Sequence, residues 1–335
     1  MARGVLSSHR TPPNTRRALT YLRLIMSTTT ADRNGTFPND ARSAFTWCIE
    51  RGFNPLPGWQ RTKAATLDGE AIYQRRVGPS DLDQLFPIDQ PRNLGVVNGD
   101  LSGNLLDLDL DCQEAVLAAQ LLSPPTTWRF RREGAKDSAH RLYRTDTPFR
   151  EPQRKFCDID GKTLLEARGS GHWSIWPPSI HPEGVPITWE APDQLDKAGP
   201  PRLLLVDLEK QIATLAACCL IARHWPTKGN RDVAAMGLHG GLLRGGLNEQ
   251  QATQFVFAVA VAANDEQTRM RAEKASRTAA KLSEGKHVYG WPNITALPRS
   301  ESTSPVSSPS PGSRSFPIPD DGHALLFRCP RGAVA

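Results

Sequence analysis

The sequence predicts an α+β protein: a mixed catalytic-type domain, then a small all-helical domain and an unstructured tail. Three observations predict it. Up to residue 198 the apolar pattern has period two, in short runs broken by Gly, Pro and Asn. From 203 to 297 the period becomes 3.6, and beyond 298 neither period persists. A chain of 335 residues also suits two domains at roughly 100–200 residues each. The expected boundaries are an extension over 1–25, a mixed domain over 40–198, a helical domain over 203–297 and a tail over 298–335.

Residues 41–53 (ARSAFTWCIERGF) place Ala44, Trp47, Cys48 and Ile49 near one face of a short helix that Gly52 stops. Asn54 to Gln60 reads as a turn-rich loop. Asn93–Asn98 and Leu105–Asp111 are two apolar runs separated by the turn residues of Gly99–Gly103, which predicts a hairpin. Gln113–Leu122 is helical and ends before Pro124-Pro125. Strands are expected at His140–Arg144, Leu164–Arg168 and His172–Trp176. After Pro200-Pro201, helices are expected over 203–223, 231–244, 249–263 and 265–284. Asn248 with Gln251, and Asn264 with Gln267, are spaced as capping boxes, and Gly285 closes the last helix. Ser300–Ser315 (SESTSPVSSPSPGSRS) has the composition of a disordered linker.

The formal charge of +6, from 41 basic and 35 acidic residues, leans toward an anionic partner without requiring one. Six cysteines at 48, 112, 157, 218, 219 and 329 show no C-x-x-C spacing, which fits reduced thiols in a cytoplasm. Leu203–Ala222 is interrupted by Asp207, Glu209 and Lys210, so it reads as a buried helix rather than a membrane span. Residues 1–25 hold five arginines, and Asp32 is the first acid. A transit peptide has that composition, and so has sequence ahead of a later start at Met26. The second reading is favoured because no apolar stretch or cleavage site follows.

Three segments can carry chemistry. In Leu105–Asp111 the leucines take one face of a strand, and Asp107, Asp109 and Asp111 take the other, roughly 6.5–7 Å apart. Carboxylates in that row can hold cations, which would relieve their mutual repulsion. A solvated acidic edge strand has the same pattern. In Ser138–Arg144, His140, Leu142 and Arg144 share a face; His140 can meet a phosphate or simply be satisfied within a sheet. In Leu164–His172, Glu166 is an acid within an apolar strand beside flexible glycines. Arg168 shares its face and can pair with it.

In order, the segments Asn93–Gly99, Ser102–Asp109, Ser138–Tyr143 and Glu166–Gly171 with Pro177–His181 resemble the bifunctional DNA primase/polymerase N-terminal (prim-pol) domain of the archaeo-eukaryotic primase superfamily. The resemblance covers roughly residues 41–190. It implies an RRM-like catalytic domain and a template-dependent nucleotidyltransferase of a plasmid, phage or integrated element. It implies a two-ion mechanism with Mg²⁺ or Mn²⁺ held by Asp107, Asp109 and Glu166. His140 is implied as a nucleotide-binding and catalytic residue, and Asp111 as a frequent further acid. Basic residues among Lys63, Arg131, Arg132 and Arg168 would offset triphosphate charge. Single-stranded DNA and nucleoside triphosphates are the implied partners. Ser-Ala precedes His140 where many relatives have glycines, and Glu166 stands where Asp is also common. The same acids also suit a metal-dependent nuclease, and the basic balance suits a non-catalytic replication initiator.

Gly161-Lys162-Thr163 mimics a phosphate-binding loop, but the position five before Gly161 is Phe156 rather than Gly, so it reads as a hairpin turn. With no such loop elsewhere, the helicase that commonly accompanies such domains is missing from the sequence: either this is a stand-alone module, with a separate helicase as a possible partner, or the tail after Ser300 is a truncated or frame-shifted remnant. His239 and the Cys218-Cys219 pair read as packing residues. Trp173 and Trp176 can stack on bases. Their spacing on a strand puts at least one of them in the core.

Overall fold

The structure, a computed structural model, describes residues 37–67, 73–151, 153–195, 198–295 and 297. The expectations for 1–25 and for the tail from 298 lie outside these residues, as does Cys329. The strands are β1 Asn54–Trp59, β2 Arg92–Val97, β3 Leu105–Leu110, β4 Arg129–Arg132 and β5 Ala139–Thr145. They continue with β6 Gln153–Cys157, β7 Thr163–Arg168, β8 Trp173–Trp176, β9 Ile187–Trp189 and β10 Arg202–Leu203. The helices are α1 Ala41–Glu50, α2 Leu82–Leu85, α3 Gln113–Leu122, α4 Leu205–Arg223 and α5 Arg231–Arg244. Then come α6 Glu249–Ala262, α7 Thr268–Ala272, α8 Ala275–Ser283 and α9 Trp291–Thr295. The mixed α+β class is the one the pattern predicts.

Two sheets organise the strands. A small antiparallel sheet runs β1-β2-β8, and a larger one runs β6-β7-β3-β5-β4-β9, with β10 alongside β5 in parallel. The segment 54–60, read as a loop, is strand β1. Its Pro55 and Pro57 cannot donate to a ladder, and an edge strand with a single partner is where a sheet tolerates them. The expected β2–β3 hairpin does not form. β2 pairs with β1 and β8, whereas β3 pairs with β5 and β7 in the other sheet. The turn residues between them make a crossing rather than a reversal. Gly99 stands there at φ +74°, and a Cβ on it would fall 2.2 Å from Ser170 Oγ.

The large sheet is covered on both faces. Leu106, Leu108 and Leu110 of β3 point into one core with α3, α4, α5 and α6, including Val116, Leu215, Cys219 and Phe255. On the opposite face Leu105, Phe130 and Leu142 join Leu94, Val96 and Trp176 of the small sheet and Phe45 and Trp47 of α1. Each fully buried Leu of this kind contributes roughly 1.5–3 kcal/mol. Helix α1 is capped by Asp40, whose side chain accepts from Ser43 N at 2.9 Å. The Asn248–Gln251 capping box opens α6 as expected. The Asn264–Gln267 box does not form. Asp265 accepts from Gln267 N at 2.8 Å instead, and the expected helix over 265–284 breaks into α7 and α8. Asp265 is drawn inward because its carboxylate also takes Trp225 Nε1 at 2.9 Å and Arg271 Nε at 3.1 Å.

Gly161-Lys162-Thr163 forms the β6–β7 turn, with Gly161 at φ +82° and no helix following, which disposes of the phosphate-loop likeness. His239 is buried and its Nε2 bonds to Arg271 O at 2.9 Å. Cys48, Cys112, Cys218 and Cys219 are free and buried, but Cys157 is disulfide-bonded, against the reading of all-reduced thiols. Among the described residues no helix is long and apolar enough to cross a membrane.

Candidate metal and nucleotide site

The register of the large sheet builds the site. Asp109 of β3 pairs with Glu166 of β7 on one side and His140 of β5 on the other. The row continues through Lys155 opposite Glu166 and Phe130 opposite His140. Directly paired residues share a face, so five strands deliver Lys155, Glu166, Asp109, His140 and Phe130 in one line. The next row along β3 holds Asp107 between Arg168 and Leu142. Asp111 follows at the other end, where Asp111 N donates to Leu164 O at 3.0 Å.

Four carboxylates therefore meet one guanidinium and one imidazole. Arg168 lies 2.6 Å from Asp109 Oδ2 and 3.0 Å from Glu166 Oε2, so its expected pairing with Glu166 is present and shared with Asp109. Burial opposes the charge on Arg168, but the Asp109, Asp107 and Glu166 charges outweigh it and raise its pKa. Burial likewise works against a charged His140, and Asp109 and Asp107 overcome it, raising the pKa of the imidazole. Asp107 is pulled up by burial but held below the usual carboxylate range by His140, Arg168 and the hydroxyl of Ser174. Asp111 behaves oppositely: lost hydration first, then the Asp109 charge, push it up to about 6, although the residue itself is solvent-exposed.

Asp109, Asp111 and Glu166 offer oxygens that all lie within 4.8 Å of one another. Glu166 Oε1 is buried and has no hydrogen-bond partner. An orphaned carboxylate oxygen at that depth is costly unless something cationic meets it, and divalent ions take oxygen ligands of this kind. Even with His140 protonated the group keeps a net negative charge. The residues present therefore fit a divalent ion. Asp107 stands apart: it is fully buried, and its oxygens are taken by His140 Nδ1, at 3.0 and 3.2 Å, and by Ser174 Oγ.

Beside the acids opens a cleft of about 290 Å³, near the lower end of the range for small-molecule sites (roughly 300–1,000 Å³). Asp109, Asp111, His140 and Arg168 form its acid-rich end. Lys63, Arg131, Arg132 and His181 supply cationic and polar groups, and Phe130, Trp173, Ile175 and Ile187 supply apolar wall. Lys63 has no acidic partner within 4.0 Å among the described residues, while Arg131 is held by Glu190 and Arg132 by Glu183 at 2.7 Å. Trp173 lies over Gly95, where a Cβ would come 2.1 Å from the indole. Trp176 is fully buried, so of the two tryptophans only Trp173 reaches the cleft.

The structure thus brings together Asp107, Asp109, His140, Glu166 and Arg168, and places Lys63, Arg131 and Arg132 along the same cleft. Residue reading alone did not single out Ser174, Asn98, Lys155 or His181. Only His181 had a local signal, the Pro177-Pro178-Ser179-Ile180-His181 run; the others owe their position to cross-strand register.

A mixed sheet therefore sets a carboxylate group that could hold a metal ion beside a cleft of mixed charge. Residues 45–203 match the family model described as bifunctional DNA primase/polymerase, N-terminal. No curated protein matches the chain. The family's chemistry is nucleotidyl transfer of the primase/polymerase type, with DNA and nucleotides as substrates.

Proposed function

We propose that this chain is a template-dependent DNA primase/polymerase from a plasmid, phage or integrated-element replication system, using two Mg²⁺ or Mn²⁺ ions. The observation that carries this reading is the Asp109–Asp111–Glu166 group with its orphaned Glu166 oxygen, set within the family match. Asp109, Asp111 and Glu166 hold the metal. The chemistry supplied on binding is a lowered pKa for a primer 3′-hydroxyl and neutralisation of the departing pyrophosphate. His140 presents Nε2 to the cleft, 3.5 Å from Asp109 Oδ1, where it can donate to a phosphate oxygen. Lys63, Arg131 and Arg132 spread positive charge along the cleft for the triphosphate, and Arg168 keeps the acid row from collapsing apart. Trp173 offers an indole face for a base. Single-stranded DNA is held by exposed basic residues, with affinity that falls as salt rises.

The test is incubation of the full chain with single-stranded DNA, labelled nucleotides and Mn²⁺. The expected outcome is product that lengthens only when nucleotides and template are both present. DNA that shortens without nucleotides makes the protein a nuclease. Binding without either change makes it a replication initiator.

A further inference from the structure

Asp107 shares a face with the metal-holding acids, yet its surroundings are those of a different task. It is 0% exposed, and Asn98 and Ser174 beside it are almost as deeply buried. Asn98 Nδ2 donates to Ser174 Oγ at 3.1 Å, Ser174 Oγ donates to Asp107 Oδ2, and His140 Nδ1 bonds to the same carboxylate at 3.0 Å. The chain of contacts begins beside β2, passes through β8 in the small sheet, and ends on β3 and β5 in the large one. Phe130 closes the other side of the imidazole, stacked at 4.4 Å and 8°.

We propose that Asp107 is a positioning residue for His140 and not a metal ligand, and that Ser174 and Asn98 hold Asp107 in turn. A carboxylate that accepts from Nδ1–H fixes both the tautomer and the ring orientation, leaving Nε2 directed at whatever sits in the cleft. With two donors already on its carboxylate in a buried position, Asp107 lies outside the Asp109–Asp111–Glu166 group, whose oxygens cluster within 4.8 Å of one another. The arrangement also ties the two sheets together at the site, so that cleft geometry and His140 orientation are set by one network. The inference rests on the reading of His140 as the nucleotide contact, but its first two tests need no catalysis.

The experiment uses the full chain as wild type, Asp107→Asn, Ser174→Ala, Asp109→Asn and His140→Ala. Titration of the apo protein with Mn²⁺ alone, read by electron paramagnetic resonance, should leave Asp107→Asn within about 3-fold of wild type, while Asp109→Asn weakens at least about 10-fold. Nitrogen-15 NMR of the neutral His140 ring should show the Nδ1–H tautomer in wild type and a mixture in Asp107→Asn. In nucleotide titrations Asp107→Asn should raise KM about 10-fold, and Ser174→Ala less, in the same direction. The double variant Asp107→Asn/His140→Ala should be no worse than His140→Ala alone. Loss of Mn²⁺ binding in Asp107→Asn would make it a ligand and overturn the proposal. So would an Nε2–H tautomer in wild type, or multiplicative effects in the double variant. If Asp107→Asn does not fold, Ser174→Ala and the wild-type tautomer carry the decision. Absence of any polymerase activity with the expected Mn²⁺ and NMR results would sink the proposed function and leave the positioning role standing.

Discussion

The two faces of the run Leu106–Asp111, which β3 begins, alternate residue by residue and live by different physics. Leu106, Leu108 and Leu110 face the helices in a dry core, where their contribution is burial and their neighbours are interchangeable hydrocarbons. Asp107, Asp109 and Asp111 face a row of charged partners whose identities matter atom by atom. One carboxylate is saturated by His140 and Ser174, one is shared with Arg168, and one is pushed up to about 6 beside solvent. A leucine on the first face can be weakened without touching chemistry. Asp109 on the second can be neutralised without touching the fold.

The comparison breaks most completely if the leucine face loses its cover. A chain ending at residue 203 lacks α4 to α6, which lie over Leu106, Leu108, Leu110 and Leu165. We expect it to fail to melt cooperatively, whereas residues 26–297 should melt as one transition in calorimetry and stay active. Next in size is Leu108→Ala, which removes a side chain that is 1% exposed. It should cost about 2–5 kcal/mol in urea unfolding, with residual activity following the folded fraction.

His140→Ala should act on the other face alone. A hydrogen bond to a charged group is worth about 1.5–3 kcal/mol, so kcat/KM for nucleotide should fall roughly 10- to 150-fold. Binding to single-stranded DNA, read by fluorescence anisotropy, should be unchanged. A lower Tm with activity tracking the folded fraction would return His140 to a structural role.

The smallest effect concerns Asp111 and pH. Its folded pKa is raised from 3.8 to about 6, so between those values the folded state keeps a proton that the unfolded state has released. Stability of the metal-free protein is therefore lost as pH rises through that window, by on the order of 1 kcal/mol once solvent screening at this exposed residue is allowed for. Asp111→Asn should flatten that slope. Saturating Mn²⁺ should reverse it, because the ion favours the charged form. Melting temperature across pH 4–7, with Mn²⁺ or EDTA, reads both.

The alternation in Leu105–Asp111 is a local pattern, and it placed Leu106, Leu108 and Leu110 opposite the aspartates without any knowledge of neighbours; Leu105 departs from the expectation, sharing the aspartates' face and packing against the small sheet. What alternation cannot decide is which aspartate does what. All three share a face, and only the register against β5 and β7 sets Asp109 between His140 and Glu166 and leaves Asp107 beside Ser174. Register is a non-local property, as is the choice of sheet. Gly99–Gly103 has the same composition whether the chain turns back on itself or crosses from one sheet to the other, so the β2–β3 hairpin was a reasonable expectation and an incorrect one. β1 was missed because its prolines read as a loop until a single-sided edge position is known. Ser174 carries no signal in the chain, and Asn98, although within the Asn93–Gly99 run, carries none for this role. They are small polar residues, and they acquire meaning only from the carboxylate across the gap.

The division of labour between the two faces is tested most directly by Asp109→Asn, measured for melting temperature in EDTA and for Mn²⁺-dependent primer extension on the same preparation. Removing one of several crowded carboxylates leaves Arg168 its Glu166 partner and relieves like-charge repulsion, so the metal-free Tm should equal or exceed that of wild type. Extension should fall by about 10³-fold or more, the loss expected when roughly 4 kcal/mol of transition-state stabilisation is withdrawn. Wild-type extension by a normally folded Asp109→Asn protein would contradict the account.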